Sequence, residues 1–227
     1  MANIIFNCDS TLVSIEGPDE LARRKGVRGV AELTERAMSG DVSFSEVFRQ
    51  RFQLLAPSLA DIQWLGQQYV EHVIPDAKET VASLRADGHA VYIVSASYRP
   101  AILQLARCIG IPALNICAVD LDFSPTGVYR GYDEDNILTT DAGISMVTAE
   151  IAKLGPTVYV GDSVRDLDAR DSVDAFVGFG GVRKRDRVAQ ESDLYISDPT
   201  LLPVVEFVRT FAQANPRQKT VTQATVA

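Results

Sequence analysis

The sequence is poor in the residues that mark several common function classes. Its 227 residues include three cysteines, two histidines and one tryptophan, and 22 basic residues face 30 acidic ones for a net charge of −8. An acidic balance without a basic stripe argues against a nucleic-acid partner or an anionic membrane surface and leaves cations and small molecules open. Cys8, Cys108 and Cys117 are an odd number in no metal-ligand spacing. Each sits in an apolar strand or helix pattern, so all three read as buried free thiols in a reducing compartment. His72 and His89 stand at helix and loop margins with no visible partner and receive no chemistry. No apolar run approaches the ~18 residues of a membrane span, and the N-terminus lacks a signal-peptide layout, so the cytoplasm is the expected location.

What is present is a globular composition, 46% hydrophobic and 23% charged, sufficient for one core or one core with a smaller insert. Nearly continuous apolar runs at 3–8, 90–96, 113–119, 157–161, 175–179 and 193–197 predict strands covered on both faces. Amphipathic patterns over 76–87, 98–109, 144–154 and 199–212 fall between them. The expected fold is therefore α/β, a doubly wound, Rossmann-like parallel sheet. Two segments interrupt the rhythm. From Ser14 to His72 helical patterns follow one another with no strand, which predicts an all-helical cap inserted after the first strand, over a core of residues 1–13 and 73–212. Trp64 and the phenylalanines at helical spacing read as the core of that cap. The stretch "AVDLDFSPTGVYRGYDED" carries the Pro and Gly punctuation of a β-hairpin flap. The polar tail, residues 213–227, is expected to be disordered.

Ligands of open parallel sheets sit outside the carboxyl ends of the strands, and three strand ends here are polar. Asn7, Asp9, Ser10 and Thr11 follow the first, Ser95 and Ser97 the second, and Asp162 and Asp166 the run "TVYV". Any one of these reads equally well as a turn residue or helix cap. Together they suggest a convergent site. Asp9, Asp162 and Asp166 offer hard oxygen ligands suited to Mg²⁺. Ser10, Thr11 and Ser95, with backbone N–H groups at the following helix starts, suit a phosphate oxygen beside the metal.

The motifs "NCDSTLVSIEG", "SAS" and "GDSVRD", in that order, with a helical cap after the first strand, resemble the haloacid dehalogenase superfamily, specifically its phosphoserine phosphatase branch. The resemblance covers about residues 3 to 210. It implies an Mg²⁺-dependent phosphomonoesterase in which the first Asp of an Asp-x-Asp-x-Thr loop attacks phosphorus and the second acts as acid and base. By resemblance Asp9 is that acid/base, Ser10, Thr11, Ser95 and Ala96 bind the phosphoryl group, and Asp162 and Asp166 join positions 7 and 9 around the metal. Glu16 and Arg51 fall where the family holds a substrate's ammonium and carboxylate; the alternative for both is a solvated helix charge.

Two departures lie at the chemistry. Asn7 stands at the nucleophile position, and a carboxamide neither attacks phosphorus usefully nor gives Mg²⁺ an anionic ligand. The family's third motif, a Lys that pairs with the nucleophile, falls at Ile144, and no Lys or Arg lies between Tyr132 and Glu150; Lys153 is about two turns further on. One negative and one positive charge are thus lost together, which avoids leaving either buried alone. The expected function is a catalytically silent or attenuated relative that binds Mg²⁺ and a small phosphorylated or amino-acid ligand. The alternative is an active phosphomonoesterase in a parent form altered at Asn7 and Ile144.

Overall fold

The computed structural model describes residues 1–39 and 41–214. Of the tail expected to be disordered, 215–227 lies outside the described residues, and 213–214 complete the last helix. Eight strands form among the described residues: β1 (Asn3–Phe6), β2 (Ala90–Tyr98), β3 (Ile116–Val119), β4 (Leu121–Phe123), β5 (Tyr129–Tyr132), β6 (Thr157–Gly161), β7 (Ala175–Phe179) and β8 (Leu194–Ile196). Six of them make a sheet in the order β3-β2-β1-β6-β7-β8, parallel throughout. Every residue of β1, β6 and β7 is buried, as continuous apolarity requires of strands covered on both faces. Ile5 sits opposite Tyr92 on one side and Tyr159 on the other. The chain order therefore reverses at β1, and a switch point of this kind opens a crevice at the strand ends.

Among the described residues four helices follow β1 with no strand between them: α1 (Gly17–Lys25), α2 (Val30–Met38), α3 (Phe44–Leu55) and α4 (Leu59–Glu71). Then come α5 (Ala77–Ala86), α6 (Arg99–Ile109), α7 (Gly143–Ala152), α8 (Asp186–Glu191) and α9 (Leu202–Ala214). The helical insertion starts and stops on local signals. Pro18 occupies the first turn of α1, and Gly26 closes that helix at φ 68°, a left-handed value glycine adopts freely. Ser58 and Asp61 form a reciprocal capping box at α4. The insertion joins the sheet domain through an antiparallel ribbon in which Ser14 N–H donates to His72 O (2.9 Å) and Ile74 N–H to Leu12 O (2.9 Å). The β4–β5 hairpin braces it from the side, with Phe48 and Phe52 of α3 packing on the Tyr132 ring at 5.1 and 4.7 Å.

Several sequence expectations need correction. β1 ends at Phe6, because Asn7 and Cys8 turn into a loop closed by the Leu12 N–H on Cys8 O at 2.9 Å. Residues 113–115 form a 3-10 turn ahead of β3, since Pro112 has no N–H to give a sheet ladder. β2 continues to Tyr98, so Ser95, Ala96 and Ser97 belong to the strand's last turns of pleat and do not follow it. Only Cys8 is buried; Cys117 is half-buried and Cys108 is exposed, the penultimate residue of an amphipathic helix whose apolar stripe excludes it. The short polar helix α8 carries too weak a pattern to be foreseen.

Candidate active site

Asn7 continues β1 by one backbone hydrogen bond, N–H to Val160 O at 2.9 Å, and so projects from the centre of the sheet's carboxyl edge. Its carboxamide is held at both ends. Oδ1 accepts the Cys8 N–H at 2.7 Å, and Nδ2 donates to Asp162 Oδ1 (3.4 Å) and Asp166 Oδ2 (3.2 Å). Those partners fix its orientation, because the reverse would set an oxygen against two carboxylates and an NH₂ against an N–H. The next residues wind tightly, with Ser10 at φ 53°. Its hydroxyl donates to Glu16 Oε1 at 2.6 Å, and the Thr11 hydroxyl donates to Asp162 Oδ1 at 2.8 Å. Both hydroxyls are engaged by carboxylates that themselves line the cavity.

Asp9 lies under the start of α1. Burial lifts its carboxyl to about 6, against the opposing pull of the Tyr69 and Ser97 hydroxyls, the Gly17 N–H and Arg51, while Oδ1 is buried with no hydrogen-bond partner. The Tyr69 and Ser97 hydroxyls bond each other at 2.7 Å. Gly17 permits this approach, since a Cβ there would meet the Tyr69 oxygen at 2.2 Å. A carboxyl poised near neutrality can both give and take a proton. Burial, then Asp9 and Asp162, push Glu16 well above the ordinary glutamate range. Arg51 is buried (5% exposed), donates to Thr34 Oγ1 at 3.4 Å, and has no ion pair among the described residues.

The opposite wall comes from the segment after β6. Asp166 folds back so closely that a Cβ on Gly161 would lie 2.6 Å from its carboxyl carbon. Its oxygens accept from Tyr159 OH, Ser163 Oγ, the N–H groups of Asp162 and Ser163, and Asn7. So loaded, Asp166 shapes the loop. Asp162 is pushed to about 8 by burial and then by Asp166, with Thr11 pulling the other way. Ile144 stands in the first turn of α7, 2% exposed.

These parts enclose one cavity of about 40 Å³, with the insertion's Met38 and Phe44 closing over it, room for a few waters. Of the residues foreseen from sequence, Asn7, Asp9, Glu16, Arg51, Ser95, Ala96, Ile144, Asp162 and Asp166 line it together, and Ser10 and Thr11 do not. Sequence reasoning passed over Tyr69, Phe44 and Arg165. Arg165 lay inside the quoted "GDSVRD", and a basic residue between two acids of a metal-type loop was the available signal. The insertion is clasped shut: Asp141 accepts from Phe44 N–H (2.6 Å), Ser43 Oγ (3.0 Å) and Ser45 Oγ (2.9 Å), and Glu35 pairs with Arg183 (3.1 Å) and Arg185 (2.5 Å).

The family model of haloacid dehalogenase-like hydrolases matches residues 4–170. The chain belongs to that family. It is 34% identical to the phosphoserine phosphatase of Bos taurus over 199 residues, covering 86% of this chain and 88% of the relative. With the chloroplastic phosphoserine phosphatase of Arabidopsis thaliana the identity is 36%, over 85% of this chain and 68% of the relative. Among solved structures, a phosphoserine phosphohydrolase-like protein from Francisella tularensis superposes with TM-score 0.79 at 23% identity, over 92% of this chain and 99% of the other. A substrate-bound phosphoserine phosphatase complex does so with TM-score 0.78 at 24% identity, over 90% and 97%. The superpositions show the shared fold, and the sequence relation makes this haloacid dehalogenase-like hydrolase phosphoserine phosphatase-like.

The donor set can be tested against the magnesium the resemblance implies. Buried carboxyl oxygens in excess of cations, including the unpartnered Asp9 Oδ1 and those of Asp162, whose pKa burial and Asp166 push up to about 8, are the hard donors such an ion takes. Yet no group of three or more acidic, Cys or His side chains converges on one point among the described residues, and Asn7 turns a donor toward both carboxylates. The residues fit magnesium with one anionic ligand fewer.

Proposed function

We propose that this family member binds a small phosphorylated or amino-acid ligand under its helical cap, residues 14–72, and hydrolyses phosphomonoesters slowly or not at all. The observation that carries this reading is the Asn7 carboxamide, neutral and hydrogen-bonded at both ends, at the position of the family's nucleophile. Glu16, which the Arg183 guanidinium approaches only to 3.8 Å, receives the ligand's ammonium group, and Arg51 receives its carboxylate. Asp9 holds a proton near the leaving oxygen. Asp162, with the Asn7 carbonyl oxygen once its amide turns, would hold Mg²⁺, which supplies neutralisation of phosphate charge when bound. Binding it costs the Cys8 N–H contact, so affinity is weakened. The free cysteines support a reducing location, the cytoplasm by default.

Phosphate release from phosphoserine by pure protein tests the reading. Losing the covalent nucleophile of a coupled catalytic unit costs several orders of magnitude, so turnover should be a small fraction of that of an active relative. Robust Mg²⁺-dependent release, with Asn7 shown intact by mass spectrometry, would overturn it. The second reading, an active phosphomonoesterase altered at Asn7 and Ile144, is favoured by one observation: Asp9 keeps a proton-transfer role at a pKa of about 6.

A further inference from the structure

Arg165 has no part in the roles described so far, although it lines the same cavity as Ile144. It is 8% exposed. Its Nη2 donates to Leu138 O (3.1 Å) and Thr140 O (2.9 Å), carbonyls of the segment leading into α7. The guanidinium therefore stands at the end of α7 that carries Ile144, where a lysine side chain from position 144 would otherwise bring positive charge. We propose that Arg165 is the anion-binding cation of this site: it holds the phosphoryl group, or another tetrahedral oxyanion at that place on the ligand, and does so without a divalent metal. The proposal rests on the reading that the cavity takes a small phosphorylated or amino-acid ligand.

Three observations support it. The Arg165 Nε–H is buried with no acceptor, and a planar guanidinium is built to present Nε and a terminal nitrogen side by side to an oxyanion. Among the described residues no carboxylate lies within ion-pair distance of it, so its charge is not already neutralised by contact. Its face is seated on the Phe44 ring, Cζ 3.4 Å from the centroid, and Arg51 lies 5.5 Å from the same ring. One aromatic of the cap is thus flanked by two buried guanidinium groups. A ring supports a cation without cancelling its charge.

The neutrality of Asn7 completes the argument. A carboxylate at position 7 would compete with an incoming oxyanion for any cation in the cavity; a carboxamide does not. Arg51 and Arg165 then read as two anion sites for one ligand, the first for a carboxylate and the second for the phosphoryl end, with Glu16 as the acidic group that faces the ligand's ammonium. A plain alternative is that Arg165 is a strut tying residues 138–140 to Phe44. A strut uses Nη2 and the ring face and leaves Nε idle, and it does not distinguish a phosphorylated ligand from its unphosphorylated counterpart.

That distinction gives the test. Binding of phosphoserine, serine and inorganic phosphate is measured by calorimetry in EDTA for the full chain, Arg165→Gln and Arg165→Lys. Wild type is expected to bind phosphoserine at least tenfold tighter than serine; Arg165→Gln should lose that preference while its serine affinity stays within twofold. Arg165→Lys keeps charge and most of the volume but lacks the Nε donor, so its preference should fall at least threefold. It also decides the matter if the Gln variant does not fold. An undiminished preference in either folded variant, or parallel loss of serine binding, overturns the proposal and leaves the ligand reading standing. Absence of a phosphoserine preference in wild type without metal overturns it too. If serine and phosphoserine also fail to bind wild type with Mg²⁺ present, the ligand reading falls with it.

Discussion

Replacing Asn7 by Asp would restore a nucleophile in name, and the structure predicts what it does to stability first. The two N–H···O contacts from Nδ2, at 3.4 and 3.2 Å, become oxygen-to-oxygen contacts between carboxylates. Losing two bonds to charged acceptors of that length, and adding like-charge repulsion, should cost about 2–4 kcal/mol. For a chain of this size each kcal/mol moves the melting temperature by roughly 2–4 °C, so Asn7→Asp in EDTA should melt roughly 5–15 °C below wild type. A carboxyl forced among other carboxylates has a raised pKa, so its penalty is present above that pKa and fades as pH falls through it toward the ordinary value of about 3.9. A divalent cation bound at 100 times its dissociation constant returns about 2.7 kcal/mol. Melting in EDTA and in saturating MgCl₂ should therefore show the variant recovering most of its deficit while wild type gains little. Equal stability of the two in EDTA, or an equal Mg²⁺ gain by wild type, would refute the account of Asn7 as a neutral bridge between Asp162 and Asp166.

Two further outcomes follow from the cap. Serine or phosphoserine should raise the melting temperature by mass action, and Arg51→Ala should abolish the rise from serine; an unchanged shift would remove Arg51 from the site. Asp61 concerns stability alone. Burial raises its pKa, but hydrogen bonds from Ser58, Arg24 and Lys25 together bring it from the ordinary 3.8 to about 2. Its stabilisation is therefore complete above pH ~4 and lost as pH falls through about 2. After allowance for solvent screening at its partly exposed cation partners Arg24 and Lys25, Asp61→Asn should cost about 1 kcal/mol at pH 7 in urea denaturation. The gap to wild type should narrow toward pH 3; a gap independent of pH would show that the capping box, without the charge, carries the effect.

The parts of this molecule that were legible in sequence are those governed by periodicity. Strands buried on both faces had to be continuously apolar, and β1, β6 and β7 are. The insertion announced itself by helical spacing and by Pro18 and Gly26 at one helix's ends. Parallel strand ends converge, so residues 7, 9, 95 and 162 could be placed at one site from order alone. What sequence order does not carry is direction. Ser10 and Thr11 lie in the expected loop, yet the left-handed backbone at Ser10 turns their hydroxyls to Glu16 and Asp162. Tyr69 reaches Asp9's surroundings from near the end of α4, far away in sequence. Arg165 reaches the α7 entrance only because Asp166 folds back over Gly161.

The same geometry explains why the two departures from the family pattern occur together without emptying the site of charge. A buried cation facing a neutral Asn7 would be stranded if it had no other support, and a lysine on α7 has a flexible stem and no ring beneath it. Arg165 is supported independently of position 7, by two backbone carbonyls and the Phe44 face. It can remain charged whether the cavity is empty or filled, although burial draws its pKa down to about 10. Moving the cation from α7 to the loop after β6 therefore uncouples anion binding from the nucleophile. Under the proposed function, a site so arranged keeps the groups assigned to ligand recognition, Glu16 and Arg51, and the one assigned to proton transfer, Asp9. It lacks the group that would form a bond to phosphorus.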